Sequence, residues 1–117
     1  MLAVRGHQVS LYEKGPELGG QFNLARRVPG KQEFAESVAY FAERLRRLGA
    51  KVLLGHAPGE AELGAFDEVV IATGVEPRLP DIPGIGHPSV VGYGEVLAGR
   101  APVGANVAIV GMGGIGF

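Results

Sequence analysis

Apolar residues recur with two different periods along this chain, and each change of period marks an element. Residues 31–48 place Phe34, Val38, Phe41, Ala42, Leu45 and Leu48 at helical spacing, while Glu43, Arg44, Arg46 and Arg47 largely cover the remainder. One apolar stripe on a charged cylinder predicts an amphipathic helix, and Gly49 supplies its stop. Residues 8–12 alternate and predict a strand, and residues 51–54 predict a second, short one. In residues 66–74, two acids lead into Val69, Val70 and Ile71, and the run ends in Ala72, Thr73 and Gly74. A continuous β-branched run predicts a strand buried on both faces, because alternation disappears when neither face meets water. Residues 106–110 form another such run, and residues 60–65 and 93–97 predict short helices.

Glycine and proline punctuate these elements. Residues 1–5 are a short apolar piece closed by Gly6, as the last turn or two of a longer helix would be. Residues 15–20 and 55–59 are loops, and residues 21–27 run on to a break at Pro29-Gly30. Pro77, Pro80 and Pro83 keep the segment after Gly74 out of helix and ladder, which predicts an extended crossing between lobes.

Composition narrows the class. A chain of 117 residues makes one domain with a modest core. A net charge of -1 and a pI near 6.3 give no reason to expect nucleic acid or an acidic membrane as partner. Cysteine is absent, which excludes disulfides, thiolate metal sites and cysteine-ligated iron–sulfur clusters from this chain. No long apolar segment or signal-peptide pattern occurs, so a cytoplasmic protein is the default expectation. The 20 glycines and 8 prolines lie in turns between apolar runs, the pattern of a loop-rich α/β domain.

Candidate chemistry sits at the predicted strand ends, where open parallel sheets bind ligands. Glu13 follows the first strand, the position from which an acid accepts hydrogen bonds from an adenosine ribose; from this segment alone a solvated turn acid is the favoured reading. Gly19 and Gly20 permit close approach of backbone to a ligand, or just a tight turn. Arg26 and Arg27 suit phosphate or plain solvation, and His56, with no second ligand at useful spacing, reads as a surface residue. Gly111, Gly113 and Gly116 make a G-x-G-x-x-G match immediately behind the apolar run 106–110. In that position the glycines would form the turn and the next helix's amides would hold a pyrophosphate.

The segments 5–13, 17–23, 28–31, 67–74 and 103–116, in this order and spacing, resemble the flavin- and pyridine-nucleotide-binding region of bacterial 2,4-dienoyl-CoA reductases. The wider family of old-yellow-enzyme-like iron–sulfur flavoproteins, including trimethylamine dehydrogenase, is similar. The Gly-Gly-Gln-Phe-Asn piece at 19–23 and the Pro-Gly-Lys piece at 29–31 favour the reductase branch. The resemblance implies a Rossmann-like three-layer α/β parallel sheet in an incomplete nucleotide-binding domain. Residues 1–105 would be a partial FAD domain, and residues 106–117 the first strand and Gly-rich loop of an NAD(P)H domain.

In that family NADPH reduces FAD, a 4Fe–4S cluster relays the electrons to FMN, and FMN reduces the dienoyl-CoA of fatty-acid β-oxidation. Carried onto this sequence, Glu13 would hold the FAD ribose, with Gly19, Gly20 and Gln21 lying along the cofactor. The backbone near Ala57 would face adenine, Thr73 and Gly74 would approach from the central strand, and Gly111, Gly113 and Gly116 would serve NADPH. The FMN and cluster sites have no counterpart here, and neither a catalytic residue nor a metal ligand is nominated. The first FAD strand with its Gly-rich loop also has no counterpart, so the chain is expected to be part of a larger enzyme or a truncated reading frame. On its own it is expected to be inactive and to hold FAD poorly. An amine dehydrogenase of the trimethylamine dehydrogenase type and a non-catalytic nucleotide-binding module are the alternatives. The slot left by the missing strand is expected to be filled by residues 106–110, within one chain or by exchange in a homodimer.

Overall fold

β1 (Ser10–Glu13) and β2 (Lys51–Leu54) pair in parallel, Ser10 opposite Lys51 and Glu13 opposite Leu54, in a computed structural model that describes residues 1–111. A parallel pair needs a crossover. Here it is supplied by α1 (Phe22–Ala25) and α2 (Glu33–Arg47). The ring of Phe22 packs on that of Phe34 at 4.9 Å between centroids and joins the two helices. Pairing continues past the strand ends, where the His56 amide donates to the Glu13 carbonyl at 3.1 Å and the Gly55 amide to the Gly15 carbonyl at 2.8 Å.

α2 is the helix its periodicity predicts, and its ends have local causes. Glu33 and Glu36 occupy the first turn and Arg44, Arg46 and Arg47 the last, each sign matching the helix dipole. The Ala50 amide donates to the Leu45 carbonyl and the Gly49 amide to the Arg46 carbonyl, a Schellman closure that requires the left-handed φ of +69° at Gly49. Glu43 accepts from Arg46 and Arg47, both at 2.7 Å, and these bonds hold its carboxyl down to about 2. Phe34, Val38, Ala42 and Leu45 are half-buried, but Phe41 and Leu48 of the same stripe are exposed. They line an open groove with Met1, Leu2, Ala3 and Val9.

Residues 1–5 form a single 3₁₀ turn (Ala3–Arg5), closed by Gly6 at φ +90°. α3 (Glu60–Leu63) follows the 55–59 loop. The chain divides into two compact units at Val75 and Glu76. In the second, turns at residues 82–90 precede α4 (Tyr93–Leu97), which Arg100 closes by a two-pronged ion pair to Glu95 at 2.8 and 2.9 Å.

Two expected strands are not formed. Residues 68–72 and 106–110 carry no ladder, and their side chains are open to solvent: Ile71 is 74% and Ile109 72% exposed. A β-branched run is suited to a sheet but becomes a strand only when a neighbour offers its N–H and C=O groups. Among the described residues the sheet has two strands, no side chain is fully buried, and residues 106–110, expected to complete the sheet, join no ladder. The result is a small α/β fold with a two-stranded parallel sheet.

Candidate functional site

The carboxyl ends of β1 and β2 bring several predicted residues together. Glu13 ends β1, and its Oε1 accepts the Gly15 amide at 2.7 Å, which bends the chain back over the strand end. Oε1 is thereby engaged, and a carboxylate has acceptor capacity beyond one bond. The His56 amide bonds the Glu13 carbonyl, so Ala57 follows one residue after a direct tie to the acid. Ala57 itself is exposed. The acid and the loop backbone assigned to ribose and adenine are therefore neighbours.

A second group forms around the glycine loop. Gly19 has φ +121° and Gly20 φ +49°, and a Cβ on Gly19 would lie 2.8 Å from Asn23 Oδ1. Asn23 Nδ2 donates to the Leu18 carbonyl at 2.9 Å, while its Oδ1 is buried without a partner. Gln21 Nε2 reaches the Val75 carbonyl at 3.1 Å, which ties the loop to the stretch containing Thr73 and Gly74. Arg26 is engaged by Glu17 at 3.3 Å. Gly111 lies in the second unit and has φ +111°; Gly113 and Gly116 lie outside the described residues.

A third feature escapes sequence reasoning. His56 Nε2 and Glu62 Oε2 are 2.8 Å apart, and the His56 ring lies 5.6 Å from that of Tyr12. Tyr12 also meets Phe66 edge-on at 6.1 Å. The bond to His56 lowers the Glu62 carboxyl, and desolvation, followed by hydrogen bonding to Glu62, raises the Tyr12 phenol. The histidine read as solitary is thus one corner of a cluster joining β1, the 55–59 loop and α3. Its partner is six residues away across a turn, a spacing with no periodic signature.

Among the described residues no cluster of His, Asp or Glu is arranged to hold a metal, and no helix is long and apolar enough to cross a membrane. These groups have chemistry a nucleoside can use: a strand-end carboxylate accepts from ribose hydroxyls, and an exposed loop backbone such as that at Ala57 can meet a base edge.

No protein-family model matches the chain. It is 37% identical over 121 residues to a metal reductase of Desulforamulus reducens, covering 97% of this chain and 18% of the relative. It is 34% identical over 115 residues to an N,N-dimethylglycine/sarcosine dehydrogenase of Chromohalobacter salexigens, covering 92% and 17%. A solved 2-naphthoyl-CoA reductase superposes with a TM-score of 0.81 at 33% identity, over 88% of this chain and 16% of that one. The chain therefore spans less than a fifth of the length of the curated relatives it matches. Over nearly all its length it is related to one segment of these oxidoreductases.

Proposed function

We propose that this segment forms the adenosine side of an FAD site in a flavin- and pyridine-nucleotide-dependent reductase of the 2,4-dienoyl-CoA reductase type. The observation that carries the reading is the contact of the two strand ends, where the His56 amide bonds the Glu13 carbonyl and sets the acid beside the Ala57 backbone. Glu13 would accept the ribose hydroxyls, the backbone at Ala57 would meet the adenine edge, and Gly19, Gly20 and Gln21 would lie along the cofactor, with Thr73 and Gly74 approaching it. When bound, FAD supplies the passage of electrons from a nicotinamide toward the substrate-reducing centre. This chain's residues bind and orient it; the proposal gives none of them a proton to move.

The motif at Gly111, Gly113 and Gly116 supports a pyridine nucleotide as the donor, which is NADPH in the reductases the chain resembles, with residues 1–105 serving FAD and residues 106–117 opening the NAD(P)H domain. A Rossmann-like three-layer sheet would then need further strands beside β1 and along residues 68–72. FMN and a 4Fe–4S cluster would be held elsewhere in the whole enzyme, whose substrate would be an unsaturated acyl-CoA and whose setting would be the cytoplasm. The superposition on a CoA-thioester reductase supports that substrate class. The relative that dehydrogenates N,N-dimethylglycine or sarcosine supports the second reading, an amine dehydrogenase of the same architecture.

The test is a titration of the chain with adenosine and with FAD, followed through backbone amide chemical shifts. Shifts at Glu13, Gly15 and Ala57 are expected, with a dissociation constant near the millimolar range because the pyrophosphate cradle is not supplied. Glu13→Ala should remove them. Shifts confined to other residues, or an unchanged response in Glu13→Ala, would overturn the assignment.

A further inference from the structure

We infer that His56 is a positioning residue: by pairing with Glu62 it holds the 55–59 loop in the shape that presents the Ala57 backbone to adenine. The inference rests on the adenosine-site reading above. The loop leaves β2 through Gly55, whose φ is +66°, and enters α3 after Gly59. Gly55 and Gly59 are free to turn at its ends, while Pro58 fixes its own φ and restricts Ala57 before it. Three contacts hold its first two residues. Two are the amide bonds of Gly55 and His56 to the carbonyls of Gly15 and Glu13. The third is the His56 side chain, bonded to Glu62 at 2.8 Å and lying against the Tyr12 ring.

At the far end the Gly59 carbonyl accepts the Glu62 and Leu63 amides, and the side-chain latch is what ties His56, next to the Ala57 backbone, to α3. The groups around it are the Tyr12 phenol from β1, Glu62 from α3, and Lys51 from β2, whose charge acts on Glu62. Removing the imidazole should weaken adenosine binding about two- to fivefold, the range an exposed pair commands.

Two measurements on the 117-residue chain test this. The first is the adenosine affinity of the native chain, His56→Ala, Glu62→Ala and the double variant. Each single variant should lose about two- to fivefold, and the double variant no more than either. The second is hydrogen exchange of the Gly55 and His56 amides without ligand, which should quicken in His56→Ala, with rates corrected for intrinsic exchange. Native affinity or native loop protection in His56→Ala, or losses that add in the double variant, overturns the latch. If adenosine fails to shift Glu13 and Ala57 of the native chain, the adenosine site fails and the positioning role falls with it. Binding at those residues that neither single variant weakens rejects the latch alone.

Discussion

Glu13 Oε1 accepts the backbone amide of Gly15 at 2.7 Å, and a Cβ at Gly15 would stand 3.1 Å from the same oxygen. The acid assigned to a ribose is therefore also the brace of the turn that follows β1. Glu13→Ala should cost about 1 kcal/mol of stability, the ordinary worth of one partly exposed hydrogen bond. Glu13→Gln, whose amide oxygen still accepts, should restore most of it. Urea unfolding monitored by circular dichroism distinguishes the two. Equal stability of native chain and Glu13→Ala would show that the brace carries no weight.

Neighbouring glycines should respond differently to a methyl group. Gly19→Ala meets both a φ of +121° and the Asn23 side chain, and should lose about 3 kcal/mol. Gly20→Ala, at φ +49° with open space around it, should lose only about 1 kcal/mol. Thermal melts of both variants check the order, and a reversed order would mean that Asn23 does not confine Gly19.

Acid should weaken the fold through three carboxylates. Glu43, Glu62 and Glu95 are each held below the ordinary range by a hydrogen-bonded partner, Arg46, His56 and Arg100 respectively. A depressed carboxyl contributes stability that is fully present above its unfolded value near 4.3 and is lost as pH falls through its folded value. For Glu43 that window runs down to about 2. Because all three pairs are solvent-exposed, each should move the melting temperature by only about 1–3 °C between pH 5 and pH 2. Glu43→Gln should flatten its share of that slope, and an unchanged slope would remove the pair from consideration.

Strand exchange between copies is the expected response of an open sheet edge. Val70 and Ile71 are each 74% exposed, and Val110 is 82% exposed in a segment without charge. Unpaired apolar runs of this kind template pairing. Light scattering on a size-exclusion column should find a dimer, and removing residues 106–117 should give a monomer that melts lower. In the cysteine-free chain, Ile71→Cys with Ile109→Cys should cross-link between copies. A native chain that stays monomeric at high concentration would refute the exchange.

The parts of this chain legible beforehand are those with local causes. β2 (Lys51–Leu54) and α4 (Tyr93–Leu97) occupy the residues expected, and α2 starts two residues later and ends one earlier than residues 31–48. Periodicity, terminal charges and the Gly49 closure act within a few residues of one another, so a linear reading captures them. Glu13 at a strand end and the glycines after it were legible for the same reason. The fate of residues 68–72 and 106–110 was not, because a ladder depends on which backbone lies alongside, and the run of Val and Ile says only that a ladder would suit it. Phe41 and Leu48 are on the apolar stripe of α2 yet exposed, since a stripe shows which face seeks cover and not whether cover exists. His56 looked solitary because Tyr12, its ring neighbour, is 44 positions away and Glu62 lies across a turn. Only the parallel pairing of β1 with β2, which sets Glu13 beside Leu54, brings the tyrosine, the histidine and the glutamate to one end of the sheet.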